Sequence, residues 1–143
     1  ALGLLADMNG NHDVALSHFQ RALSEHSDNA QVLTNMGYSR YLAGDRSGAL
    51  LSLDEALKVD PHNEAAWLNK GLVLARQGKE KEALEAFRNV LDEADSCNNL
   101  GYIYMMDGEN NKAREMFERA IYLSPTYHEK ANQNLRRLNA GVN

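Results

Sequence analysis

The sequence predicts an all-α protein, a solenoid of antiparallel helix pairs, and three observations carry that prediction. Small and large apolar residues recur every 34 positions: Gly3, Gly37 and Gly71; Gly10, Gly44 and Gly78; Ala15, Ala49 and Ala83; Phe19, Leu53 and Phe87; Ala22, Ala56 and Val90. Inside one interval the apolar residues fall on two stripes, Leu33, Met36, Gly37 and Tyr41 on the first and Ala49, Leu53, Ala56 and Leu57 on the second. That spacing is one face of an α-helix, twice. Between the stripes stand Gly10-Asn11, Gly44-Asp45, Gly78-Lys79 and Gly108-Glu109, where glycine can take the left-handed conformation that ends a helix. A helix pair repeated at this interval buries its apolar face by stacking on its neighbours.

Residues 1–143 form a single domain in this reading, and its units follow in order. Residues 1–29 are a partial unit; Ala1 to Met8 would make most of a first helix, so the native protein is expected to continue upstream. Residues 30–63 are a full unit whose second helix stops at Pro61, because proline disfavours helical geometry in the residue before it. Residues 64–93 are a shortened unit, since Gly71 to Gly101, Gly78 to Gly108, Ala83 to Ala113, Phe87 to Phe117 and Val90 to Ala120 are each only 30 apart. Val90 keeps the old register, so the loss is expected between Val90 and Gly101. There Asp60-Pro61-His62-Asn63 has no counterpart and Leu91-Asp92-Glu93-Ala94 makes a shortened junction. Residues 94–127 are a full unit ending near Pro125. Residues 128–143 hold a closing helix, His128 to Asn139, in which Ala131, Leu135 and Leu138 face the array while Lys130, Arg136 and Arg137 face solvent as a cap.

Trp67-x-x-Lys70-Gly71-x-x-Leu74 with Ala83-x-x-x-Phe87, and Cys97-x-x-Leu100-Gly101-x-x-Tyr104 with Ala113-x-x-x-Phe117 and Pro125, resemble the tetratricopeptide repeat (TPR) over nearly the whole chain. The resemblance implies a right-handed TPR superhelix whose first helices line a concave groove for an extended peptide or a partner helix. The departures are Lys70 in a leucine place, Arg40 in a tyrosine place, Cys97 and Leu33 in the tryptophan place, and no proline after the third unit. Gly37, Gly71, Gly101, Ala49, Ala83 and Ala113 keep the small side chains that let paired helices approach.

Composition narrows the function classes. Lysine plus arginine number 15 against 20 aspartates and glutamates, a net charge of −5, which disfavours nucleic acid as a partner. One cysteine cannot make an internal disulfide or a cysteine-rich zinc site. No apolar run approaches the ~18 residues of a membrane span, so no membrane contact by these residues is expected. His12, His18, His26, His62 and His128 are scattered and make no helical histidine pair with a glutamate, so no metal site is expected. Gly71 to Gly78-Lys79 is not a phosphate loop: six residues separate the glycines and Glu80 stands where a hydroxyl must hold magnesium. Cys97, in the place of Trp67, reads as a buried structural thiol. The chain is therefore read as a non-enzyme with no cofactor.

Binding remains. Asn35, Asn69 and Asn99 form a ladder spaced by the repeat, and an amide that both donates and accepts can pair with a peptide backbone. The TPR resemblance implies that role; the competing reading has them capping helices or bonding to adjacent units. Beside the ladder the groove is expected to present Tyr38, Tyr41 and Leu42, then Leu68, Leu72 and Ala75, then Asn98, Tyr102, Met105 and Met106, each equally readable as interhelical core. Such a surface suits an apolar peptide or helix. The lysines and arginines with which chaperone-binding TPR domains clamp a terminal carboxylate are missing from the matching positions, which read Gln31, Thr34 and Asn35, Ala65, Leu68 and Asn69, and Asp95, Asn98 and Asn99.

The run Glu93-Ala94-Asp95-Ser96-Cys97-Asn98-Asn99-Leu100-Gly101-Tyr102, the ending Leu123-Ser124-Pro125-Thr126-Tyr127, the pattern Ala131-x-x-Asn134-Leu135-x-x-Leu138 and the four-residue deletion together resemble the TadD-type lipoproteins of tight-adherence (Flp) pilus assembly. That resemblance implies a lipoprotein at the periplasmic face of the outer membrane whose repeats assist assembly of pilus secretin components. Cys97 lies mid-repeat and is not the lipidated cysteine, which would lie upstream. The alternative is a general TPR adaptor or a self-associating scaffold in the cytoplasm, joined through Leu2, Leu4, Leu5 and Met8 in residues 1–8.

Overall fold

The computed structural model describes residues 12–25, 29–126 and 128–141. The expected self-association surface in residues 1–8 lies outside them. Among the described residues all regular structure is helical: α1 His12–Glu25, α2 Ala30–Leu42, α3 Arg46–Val59, α4 Glu64–Arg76, α5 Glu80–Arg88, α6 Glu93–Met106, α7 Asn110–Leu123 and α8 Glu129–Asn139. None is long and apolar enough to cross a membrane.

Helix starts and stops follow local chemistry. Asn29, Asp45, Asn63 and Asp92 each accept a hydrogen bond from a backbone N–H three residues on, satisfying an otherwise orphaned donor. Gly44, Gly78 and Gly108 have φ of +88°, +77° and +77°, the left-handed turn expected between paired helices.

Every helix packs on its neighbours in sequence, and α2 also touches α4, α4 touches α6 and α6 touches α8. Among the described residues no such contact joins α3 to α5 or α5 to α7. The first helices, with α8, thus form the tight inner layer of a curved stack and the second helices its outer layer. This is the α-solenoid anticipated from the repeat.

Small residues on first helices meet large ones on second helices. A Cβ placed on Gly37 would lie 2.7 Å from Leu53 Cγ, and one on Gly101 2.6 Å from Phe117 Cε1, while Gly71 is filled in the same way by the Phe87 ring. Leu53, Phe87 and Phe117 are buried, as are Ala49, Ala83 and Ala113. Two core clusters result, one around Leu53 and one around Phe87 and Phe117, and Leu50 and Trp67 pack against both.

Two of the TPR departures, Arg40 and Lys70, bridge helices. Arg40 donates to Ser52 Oγ at 3.0 Å. Lys70 pairs with Asp54 at 2.7 Å and lies 5.4 Å from the centre of the Trp67 ring. Cys97 is fully buried, and burial pushes its thiol pKa up.

The deletion is not in the junction, contrary to the expectation from Val90. Residues 60–63 and 89–92 are both four-residue connections. Instead α5 has 9 residues where α3 and α7 have 14, and α6 begins one residue earlier in the repeat than α4. The backbone N–H groups of Asn89 and Val90 bond only three residues back, to Ala86 and Phe87 at 3.2 and 3.1 Å, the tightened turn in which the helix ends. Arg88, the last residue of α5, then grips Glu93, the first of α6, through Nε to Oε2 at 2.5 Å and Nη2 to Oε1 at 2.7 Å. Val90 marks a residue of the old register that is no longer helical.

Candidate peptide-binding groove

On the inner layer, α4 and α6 enclose a cleft of about 320 Å³. Leu68, Asn69, Leu72 and Arg76 come from α4, where Leu68, Leu72 and Arg76 follow one another a turn apart and Asn69 stands beside Leu68. Asn99, Tyr102, Ile103 and Met106 come from α6, and the Phe87 ring of α5 closes the floor. Tyr102 and Met106 are 44% and 42% exposed, while Phe87 is buried. The arrangement offers a ligand apolar surface already held in place by the core beneath it.

A second cleft of about 270 Å³ adjoins the first, because Asn99 and Tyr102 line both. Its other walls are Asn98 of α6 and Lys130, Gln133 and Asn134 of α8. Asn134 Nδ2 donates to Asn98 Oδ1 at 3.0 Å and ties the two helices. The His128 ring secures the start of α8: Nδ1 accepts from the Ala131 N–H at 3.1 Å, so the proton sits on Nε2, which donates to Asp95 Oδ1 at 2.9 Å.

Of the thirteen residues expected in the groove, seven line these clefts: Leu68, Asn69, Leu72, Asn98, Asn99, Tyr102 and Met106. Among the described residues the amides of Asn69 and Asn99 have no hydrogen-bond partner, whereas Asn35 accepts from Gln31 at 2.9 Å within its own helix. Asn35, Tyr38 and Tyr41 lie on α2 and line neither cleft. The Tyr38 and Tyr41 rings stand 6.1 Å apart, tilted by 34°, and the Tyr41 hydroxyl accepts from Arg76 Nη1 at 3.0 Å.

Met105 is a correction. It was expected on the groove, yet it is fully buried in the core with Leu100 and Ile103. Met106 lines the groove, while Met105, about 100° round the helix, is turned into the core. Asn98 is also more enclosed than expected, at 7% exposed, because α8 covers it.

Arg76, Ile103 and the α8 residues Lys130, Gln133 and Asn134 were missed as site residues. One signal was available for α8: carrying the 34-residue spacing on from Asn99 lands on Gln133, the next rung of the ladder. The closing helix occupies the place of a further first helix.

Comparison with known proteins agrees with this architecture. Two family models, both described as tetratricopeptide repeat, match residues 34–96 and 94–127. The chain is 30% identical over 135 residues to the photosystem I assembly protein Ycf3 of Acaryochloris marina, covering 91% of this chain and 71% of that protein. It is 33% identical over 103 residues to the TPR repeat-containing thioredoxin TTL4 of Arabidopsis thaliana, covering 69% of this chain and 15% of that protein's length. It spans 37% of another relative, the small glutamine-rich tetratricopeptide repeat-containing protein 2 of Saccharomyces cerevisiae. The crystal structure of YrrB, described as a TPR protein with an unusual peptide-binding site, superposes with a TM-score of 0.64 at 25% identity, covering 94% of this chain and 71% of that one. The chain belongs to the tetratricopeptide-repeat family.

Proposed function

We propose that this chain is a non-catalytic scaffold whose α4–α6 groove receives an extended peptide or a helix of a partner protein, and that the partner is a component of a tight-adherence pilus or secretion assembly. The groove carries the first part of this reading. Leu68, Leu72, Tyr102 and Met106 present apolar surface beside two amides, Asn69 and Asn99, that have no partner among the described residues. Burying one large apolar side chain there contributes about 1.5–3 kcal/mol, and each amide bond to the ligand backbone about 1 kcal/mol. Two relatives support it by description: Ycf3 is an assembly protein and YrrB has a peptide-binding site. Burial of Cys97 disfavours its thiolate and argues against a nucleophilic role.

The pilus part rests on the likeness of residues 93–138 to TadD-type lipoproteins. On that reading the protein works at the periplasmic face of the outer membrane, with pilus secretin components as partners. The test is affinity capture of the full-length native protein from its source membrane fraction, with the Asn69→Ala/Tyr102→Ala double variant as control. Recovery of secretin or pilus-assembly proteins by the native protein and not by the variant is the expected result. Recovery of cytosolic proteins or of the protein itself alone refutes the pilus assignment.

A further inference from the structure

The second cleft differs in chemistry from the first. Asn98 is nine-tenths buried, spends its Oδ1 on Asn134, and leaves the Nδ2 donors without a partner among the described residues. Beside it stand the Asn99 amide, the Tyr102 hydroxyl and the Lys130 ammonium, equally without partners there. Gln133 is engaged with Glu129 at 3.0 Å. No aspartate or glutamate lines either cleft, although the chain carries a net charge of −5; the nearby Asp95 is turned to His128 and Asp107 to Arg76. Donors without a partner that share one cleft with a cation suit an anionic acceptor.

Building on the groove reading above, we propose that the Asn98–Lys130 cleft reads an aspartate or glutamate side chain of the bound segment, whose neighbouring apolar side chain fills the Leu72–Met106 cleft. The partner segment is therefore acidic and apolar together. Continuity through Asn99 and Tyr102 lets one short segment reach both clefts. The charge complementarity sets specificity and association rate, and the apolar cleft supplies most of the affinity.

The experiment measures fluorescence anisotropy of short peptides, acetylated and amidated, each with a leucine or phenylalanine and a glutamate at varied spacing. Matched peptides carry glutamine in place of glutamate, and a further set carries glutamine with a free terminal carboxylate. The best glutamate peptide is expected to bind about tenfold tighter than its glutamine match. Lys130→Ala and the near-isosteric Asn98→Asp remove that margin, Lys130→Arg keeps it, and thermal melts verify that each variant folds. Equal binding of glutamate and glutamine peptides, both abolished by Leu72→Asp, overturns the acid-reading cleft and leaves the groove standing. Tight binding of the free-carboxylate set alone overturns the proposal in favour of a chain terminus. Absence of binding, or binding indifferent to Leu72→Asp, overturns the groove and this inference with it.

Discussion

Arg76 donates to the Tyr41 hydroxyl at 3.0 Å, joining the end of α4 to α2, and the same guanidinium holds Asp107, just past α6, at 2.9 Å through Nε. Three consecutive units thus meet at one side chain that also lines the groove. Arg76 and Asp107 are 28% and 30% exposed, so solvent screens the pair in part.

Arg76→Ala is expected to cost about 1–2 kcal/mol of stability and Tyr41→Phe about 0.5–1 kcal/mol. Because the two share a bond, the double variant should lose less than the sum. Urea unfolding of the four proteins tests this; strict additivity would show that the bond couples nothing.

Gly71→Ala pushes a methyl into the Phe87 ring. Overpacking of this kind costs about 1–3 kcal/mol, and adding Phe87→Leu should recover part of the loss. An alanine variant as stable as the parent would mean that the ring moves aside without penalty.

The Arg88 guanidinium, by hydrogen bonding above all, holds the Glu93 carboxyl below its ordinary pKa of 4.5. A lowered folded pKa stabilises the fold above the unfolded value, and that contribution is lost as pH falls through the folded one. Glu93 is 37% exposed, so the effect is under about 1 kcal/mol and shrinks in salt. Thermal melts taken downward from pH 5 should show a decline that Glu93→Gln flattens; identical profiles would remove Glu93 from the acid response.

His128 caps α8 through Nδ1 and reaches Asp95 through Nε2. His128→Ala should fray α8 and cost about 1 kcal/mol, while His128→Asn restores the cap but not the bridge. Hydrogen exchange at Ala131 and Asn132 reads the difference directly. Fraying would also loosen the Asn134–Asn98 wall and weaken any ligand held in the second cleft.

Much of the fold is legible in the residues themselves. A helix needs apolar positions three and four apart, a capping side chain and a stop, and all three are local; Asn63, the stripe from Trp67 to Leu74 and Gly78 supply them for α4. The pairing of Gly37 with Leu53 and of Gly71 with Phe87 is equally visible, because it recurs with the repeat. Half of the groove was legible for the same reason, the asparagine ladder and Leu68–Leu72 sharing a face.

What stacking decides was not. Whether Met105 or Met106 meets the groove depends on how α6 is rotated against α7 and α8, which a stripe of adjacent apolar residues leaves open. The sequence pointed to the junction for the four missing residues, because Val90 keeps the apolar register; the early stop after Arg88 and the Arg88–Glu93 grip put the shortening in α5. By itself the sequence determined the helix pairs, their caps and their small-to-large contacts, since these rest on short-range periodicity repeated along the chain. Only the tertiary structure made α8 a wall of the groove and set Lys130 beside a buried Asn98, because that neighbourhood joins residues from separate units whose relative placement no local pattern records.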